Sequence, residues 1–338
     1  MGRLLAEWEA QEGVMMAWPD EEMDWGEDTE EARDCYRKII GEIVQREGLT
    51  LLCRDRRKAE REYGCRTGKG KLVHFVELPL DDTWTRDYAP LTVEGNKLVD
   101  FRFDGWGGKF EATADDATGG RLFRSGGVFA PSTTYLRRED LVCEGGNMET
   151  DGKGTLLTSA ICAERRHPRR ERLEMEAIFA QTLGISRTLW VEYGLLEGDD
   201  TDGHIDTLVR FADAGTLLYT SCKPSDSHFT ELKRMEEQLR SFRQADGRPY
   251  RLVALPLPSL VVYRGERLPA TYANFLFING AVLAPVYGIP EDVAALEVFR
   301  HVFPNREVRG IDCRALLRQH GSLHCATMQF PRGMLLAD

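Results

Sequence analysis

No stretch of the chain is both long enough and free enough of charge to cross a bilayer, which removes a helical membrane protein from consideration. There is no Cys-x-x-Cys pair, no Walker loop and no dinucleotide-binding glycine fingerprint, so zinc knuckles and the common nucleotide cradles are excluded as well. Positive charge is in short supply: 44 Lys and Arg against 55 Asp and Glu leave a net charge of -11, the wrong sign for a nucleic-acid or anionic-membrane surface and the right one for a cationic ligand. The first residues, Met1-Gly2-Arg3-Leu4-Leu5, do not read as a secretory leader. The eight cysteines are therefore expected as free thiols in a reducing compartment, and the protein is expected to be cytoplasmic. No low-complexity linker divides the 338 residues, and one domain spanning 1–338 is expected.

What the chain does have is a recurrent pattern. Apolar, β-branched runs at Leu49 to Cys53, Lys97 to Phe101, Gly154 to Ser159, Gly215 to Ser221 and Gly280 to Pro285 read as strands, starting about fifty to sixty-five residues apart. Residues 29–48, 169–183, 226–242, 290–303 and 313–319 carry apolar positions three or four apart and read as helices. Five such α/β units are most economically arranged as a closed ring, in which no sheet edge is left open. A doubly wound sheet is the alternative arrangement.

Four short stretches carry chemistry. In Gly321-Ser322-Leu323-His324-Cys325-Ala326-Thr327 the cysteine lies among small residues after a glycine, where a backbone can present a thiolate, and Cys325 is the candidate nucleophile. A buried structural thiol is the competing reading. If this stretch is extended, His324 points to the opposite face and the base must come from elsewhere. In Gly203-His204-Ile205-Asp206-Thr207-Leu208, an extended chain would set His204, Asp206 and Leu208 on one face, a base beside a cation binder. In Asp82-Thr83-Trp84-Thr85-Arg86-Asp87, Trp84 can stack a planar cation while Asp87 forks onto it; an Arg86/Asp87 surface pair is the plainer alternative. In Glu144-Gly145-Gly146-Asn147, the glycines allow close backbone approach to a ligand beside Glu144, or make a hairpin turn.

In this order the four stretches resemble the guanidino-group modifying enzymes, most closely the agmatine deiminases and the bacterial, Porphyromonas-type peptidylarginine deiminases. Met16-Ala17-Trp18-Pro19, Trp106-Gly107-Gly108, Asp151-Gly152-Lys153-Gly154-Thr155, Thr271-Tyr272-Ala273-Asn274-Phe275 and Asn279-Gly280-Ala281 extend the resemblance over nearly the whole chain. It implies a five-bladed pseudo-symmetric αβ propeller, the pentein fold. It also implies cofactor-free hydrolysis of a guanidinium to a ureido group with release of ammonia, agmatine going to N-carbamoylputrescine on the way to putrescine. Carried over to this chain, Cys325 is the nucleophile and His204 the general acid/base. Asp87 and Asp206 grip the guanidinium, Glu144 is a further acidic member, Trp84 and Trp106 wall the pocket, and Asp199 lies toward the far end of the substrate. No metal and no cofactor is implied. The expected partner is a small cationic guanidine, with no nucleic acid and no membrane, and a homo-oligomer is compatible with it. Two alternatives stand beside this: a peptidylarginine deiminase with an open groove, and a non-catalytic cation or metal binder using His204, Asp206, Glu144 and Cys325. The chain departs from the usual family pattern at His320-Gly321-Ser322-Leu323 and at Gly198-Asp199-Asp200.

Overall fold

The computed structural model describes residues 2–64, 73–259 and 261–336. Each predicted strand forms, and each becomes the middle strand of a small mixed sheet. Lys97–Arg102 pairs antiparallel with Leu91–Val93 and parallel with Thr134–Val142. The same three-strand pattern is built by Glu149–Thr150, Thr155–Ser159 and Arg187–Val191, by Val209–Asp213, Thr216–Ser221 and Arg251–Pro256, and by Leu276–Ile278, Ala281–Val286 and Glu307–Asp312. Positive φ at the hairpin turns, 56° at Asn96 and 76° at Gly280, explains why Asn and Gly stand there. The remaining sheet combines the two ends of the chain: Gln11–Ala17 runs parallel to Gly48–Cys53, which runs parallel to Val73–Glu77, while Met328–Pro331 supplies the antiparallel neighbour of Gln11–Ala17.

Parallel pairs need a crossover, and helices supply it: Thr29–Ile43, Thr118–Ser125, Arg172–Leu183, Phe229–Ser241 and Glu291–Val302. Their apolar faces, for example Ile39, Ile40 and Ile43 or Leu232, Met235 and Leu239, are buried against the sheets. The fold is mixed α/β. The predicted helix boundaries shift inward by a few residues, most at 29–48, where the helix ends at Ile43, while 313–319 keeps only the single turn Arg314–Leu317. Seven cysteines among the described residues are free thiols, while Cys65 lies outside them. Among the described residues no helix is long and apolar enough to cross a membrane.

One regularity places the chemistry. Asp87, Glu144, Asp206, Asn274 and Cys325 each lie two to five residues before the antiparallel first strand of a different sheet. Five sequence-distant residues therefore occupy equivalent positions and face one region.

Candidate active site

Cys325 is buried in a turn, not in a strand, because the backbone from Leu323 to Ala326 folds back before Met328–Pro331 begins. The expectation of an extended segment is corrected here, yet its consequence holds, since His324 is directed elsewhere. The Nδ1 of His324 lies 2.8 Å from Asp206 Oδ2 and its Nε2 2.7 Å from Glu7 Oε2, so each ring nitrogen is engaged by a buried carboxylate. Glu7 in turn accepts from Arg210 Nη2 at 2.8 Å, and Arg210 Nε donates to Glu149 at 2.7 Å. This buried ionic chain braces the site from behind. Isolated buried charges would be costly, but each here has a partner.

The Asn274 amide donates to Cys325 Sγ at 3.3 Å and to Asp206 Oδ2 at 3.1 Å, and its carbonyl oxygen accepts from the backbone N–H of His324 at 2.8 Å. Asn274 was visible in the sequence only as part of a matching motif. Nothing in a lone Asn ahead of a strand announces contact with a sulfur 51 residues away. Burial, with Asp206 and Asp87 adding to it, pushes the Cys325 thiol well above its ordinary range.

His204 and Asp206 do share one site, but not through strand alternation. Gly203 has φ 87°, and Ile205–Thr207 is a 3-10 turn that brings both side chains inward. Leu208, expected on the same face, packs instead into the apolar cluster around Ile205, Val209 and Phe211. His204 Nδ1 lies 3.6 Å from Asp87 Oδ1, and its Nε2 is buried without a hydrogen-bond partner among the described residues. Burial works against the imidazolium, but Asp87, Glu144 and Asp206 outweigh it and raise His204 above its ordinary range. Burial likewise disfavours the Asp206 anion, but His324 and His204 prevail and hold that carboxyl below the usual range. Asp206 Oδ1 is also buried and unpartnered among the described residues. Two unsatisfied buried polar atoms of opposite character in neighbouring side chains are unusual and mark where a ligand's polar groups belong.

Asp87 sits in the single-turn helix Thr85–Tyr88. Its Oδ2 accepts from Trp106 Nε1 at 2.9 Å and its Oδ1 from the backbone N–H of Gly146 at 2.8 Å. Burial pushes its carboxyl up, opposed by His204. The Arg86/Asp87 surface pair is excluded, for both residues are buried and Arg86 turns away toward Gln329 Oε1 and the His324 carbonyl. The close approach foreseen at Gly145-Gly146 is to the protein itself. A Cβ at Gly146 would lie 2.6 Å from His204 Nδ1 and 2.7 Å from Asp87 Oδ1, and one at Gly145 would lie 2.1 Å from the Arg86 carbonyl oxygen. Gly321 serves the same end, since a Cβ there would enter the Trp84 ring at 2.3 Å. Trp106 adopts φ 58°, a conformation rarely used by a bulky residue, which the Asp87 hydrogen bond helps to hold.

A cavity of about 360 Å³ opens above these groups. Cys325, His204, Asp87, Trp84 and Trp106 line it, together with Asp24, Asp82, Asp199, Asp200 and Phe110. Asp206, expected at the guanidinium, does not line it, and neither does Glu144. Glu144 Oε1 is held by Arg166 Nε at 2.5 Å, and Glu144 acts on the cavity through His204. Asp199 lines the cavity, but its carboxylate accepts from Thr201 N–H and Oγ1 and from Gly203 N–H, so it fixes the loop that presents His204. The metal set His204, Asp206, Glu144 and Cys325 is not assembled as a group among the described residues. The arrangement places a thiol, an imidazole and the Asp87 carboxylate on one pocket, with the Asp206 carboxylate buried beside the thiol, a set able to add a nucleophile to a planar cation and to move a proton.

Comparison with known proteins agrees with that chemistry. The model of the Porphyromonas-type peptidyl-arginine deiminase family matches residues 3–331. A solved structure from Porphyromonas gingivalis described as a "Putative Arginine Deiminase" is 43% identical, with a TM-score of 0.92 over 98% of this chain and 99% of that one. Agmatine deiminase from C. jejuni, solved as a cysteine-to-serine variant with substrate bound, is 32% identical, with a TM-score of 0.90 over 98% and 97% of the two chains. A Legionella pneumophila protein named "Putative agmatine deiminase" is 31% identical over 98% of this chain and 96% of its own. Fold and site thus define a hydrolase acting on C–N bonds in linear amidines. The chain belongs to the Porphyromonas-type peptidyl-arginine deiminase family.

Proposed function

We propose that this single-domain chain hydrolyses agmatine to N-carbamoylputrescine and ammonia, with the five sheets described above arranged as the blades of a closed αβ propeller around the site. The strand pattern repeated in five sheets, with chain ends joined in one of them, supports the ring. The relatives' names disagree on substrate, so the reading rests on the cavity wall. Asp24, Asp82 and Asp200 line it in addition to Asp87, and none of their three carboxylate groups is ion-paired among the described residues. Arg318, which could have received a substrate carboxylate, is taken by Asp28 and Glu31. A tail ending in a cation is favoured there, and a zwitterionic tail is repelled.

In this mechanism the guanidinium lies with its nitrogens toward Asp87 and Asp206, which offsets the charges that keep the Cys325 thiol protonated. The thiol gives its proton to solvent as the guanidinium binds, and the resulting thiolate, supported by the Asn274 amide, attacks the central carbon. His204, held as an imidazolium by its carboxylates, gives its proton to the departing ammonia and leaves an amidino-thioether on Cys325. Neutral His204 then takes a proton from water as the oxygen adds to that carbon, the C–S bond breaks, and the ureido product leaves with the thiol restored.

The test is a comparison of kcat/KM for agmatine, free arginine and benzoyl-arginine amide. Agmatine is expected to lead arginine by roughly 100-fold or more, the scale on which a desolvated attraction between charges differs from a repulsion at the same place. Asp82→Asn is expected to shrink that lead while sparing butylguanidine, whose tail is neutral. If benzoyl-arginine amide is the better substrate, an open-groove peptidylarginine deiminase replaces this reading.

The same wall sets a pH dependence. Burial pushes the Asp82 carboxyl up to about 7, with Asp24 and Asp200 adding like charge, and burial pushes Asp200 up to about 6. Carboxyls raised in this way are neutral in acid and gain their charge as pH rises through those values. The KM for agmatine is therefore expected to fall between pH 5 and 8, with no matching step for butylguanidine. Parallel KM profiles for the two substrates would remove these carboxylates from amine recognition.

A further inference from the structure

We propose that Glu144, Cys162 and His204 form an inhibitory site for a borderline-soft divalent cation such as Zn²⁺. The inhibition, though not the binding, rests on the role given to His204 above. Cys162 lies on the helix Ala160–Arg166, held by the Ser159 cap, while Glu144 and His204 each lead into a 3-10 turn. One ligand atom from each of the three lies within 4.8 Å of the others, and Cys162 Sγ is 3.9 Å from Glu144 Oε2. A tetrahedral cation with bonds of about 2.3 Å to sulfur and about 2.0 Å to nitrogen and oxygen sets such atoms roughly 3.2 to 3.6 Å apart, so the group has to close by about 1 Å.

Three further observations point the same way. All three side chains are fully buried, and the His204 Nε2 has no hydrogen-bond partner among the described residues. Glu144 Oε1 is engaged by Arg166, while its Oε2 faces Cys162. The charge around the group is also suited to a cation: Asp87, Glu144, Asp206 and Asp199 all act on His204, against the guanidinium of Arg166 beside Glu144. A thiolate, an imidazole and a carboxylate select zinc, cadmium or cobalt over magnesium and calcium. His204 lines the cavity and the other two lie behind it, so the ion enters by the substrate's route. Binding expels the thiol proton of Cys162 and one ring proton of the His204 imidazolium to solvent and ties up the lone pair so freed, and His204 then cannot serve as acid or base.

The sequence pointed to a metal set containing Cys325, and the experiment separates the two cysteines. Co²⁺ is titrated into the full chain carrying Cys325→Ser, in which no turnover is needed. A thiolate-to-cobalt charge-transfer band saturating at one equivalent is expected, displaced by Zn²⁺ and untouched by Mg²⁺. Adding Cys162→Ala, or the near-isosteric Cys162→Ser should the alanine variant misfold, is expected to abolish it. Absence of the band in Cys325→Ser, or its survival in the double variants, overturns the site whatever the enzyme's substrate proves to be. In turnover, half-inhibition of the Cys162 variant is expected to need roughly tenfold more Zn²⁺ or higher, each protein measured against its own uninhibited rate. Equal sensitivity overturns the inhibitory role.

Discussion

Cys325→Ser is expected to reduce kcat for agmatine by roughly 10⁴-fold or more while leaving agmatine affinity within a few-fold, the scale seen when a nucleophile acting with its base is removed. The reason is the difference between sulfur and oxygen in this environment. Burial and the nearby carboxylates already push the thiol well up, and the arriving guanidinium is needed to offset them. A hydroxyl starts far higher and forms no anion under the same influence. The serine Oγ keeps the short side chain beside Asn274, and Asp87, Asp206 and His204 are untouched, so the binding groups remain. Calorimetric titration of agmatine into the variant, beside a ureido-product assay, reads both halves. Turnover near the wild-type rate would remove Cys325 as nucleophile, and loss of binding together with turnover would make it a packing residue.

Asp206→Asn is expected to lower kcat/KM by about 30- to 5,000-fold, corresponding to the ~2 to 5 kcal/mol lost when one member of a desolvated charge pair is removed. Asp206 does two things with its two oxygens. Its Oδ2 accepts from Asn274 and His324, and its Oδ1 is buried with no partner among the described residues. An asparagine has one acceptor oxygen, so its amide must face either those donors or the incoming guanidinium, and either choice sets donor against donor. Because the loss is at the guanidinium end, butylguanidine and agmatine should suffer alike, in contrast to Asp82→Asn. A loss confined to agmatine would move Asp206 to the other end of the substrate, and a change within a few-fold would take it out of the pocket.

The repeated hydrophobic pattern made the α/β units and their strands legible, because a buried middle strand must be a short apolar run and a parallel crossover must carry an amphipathic helix. The residue types at Cys325, His204, Asp206 and Asp87 were legible for a related reason: each stands beside glycine, tryptophan or another reactive group in a short run with its own chemical logic. Local geometry was less faithful. Alternation placed Leu208 with His204 and Asp206, whereas Gly203 at positive φ and the 3-10 turn Ile205–Thr207 sent it into the core. Period-two reasoning fails wherever the backbone leaves the strand, and Asp87, Glu144, Asp206, Asn274 and Cys325 each lie just before one. Contacts across long separations were decided by tertiary structure alone. His324 meets Glu7 from 317 residues away, Asn274 meets Cys325 from 51, and Arg166 rather than the substrate cavity claims Glu144 Oε1. No local pattern encodes such partners, because they follow from how the sheets are placed around the site. The sequence by itself determined which groups could do the chemistry. Only the packing of the α/β units decided which of them line the cavity, which, like Glu144, act from behind it, and which, like Asp199, line it while holding a neighbour in place.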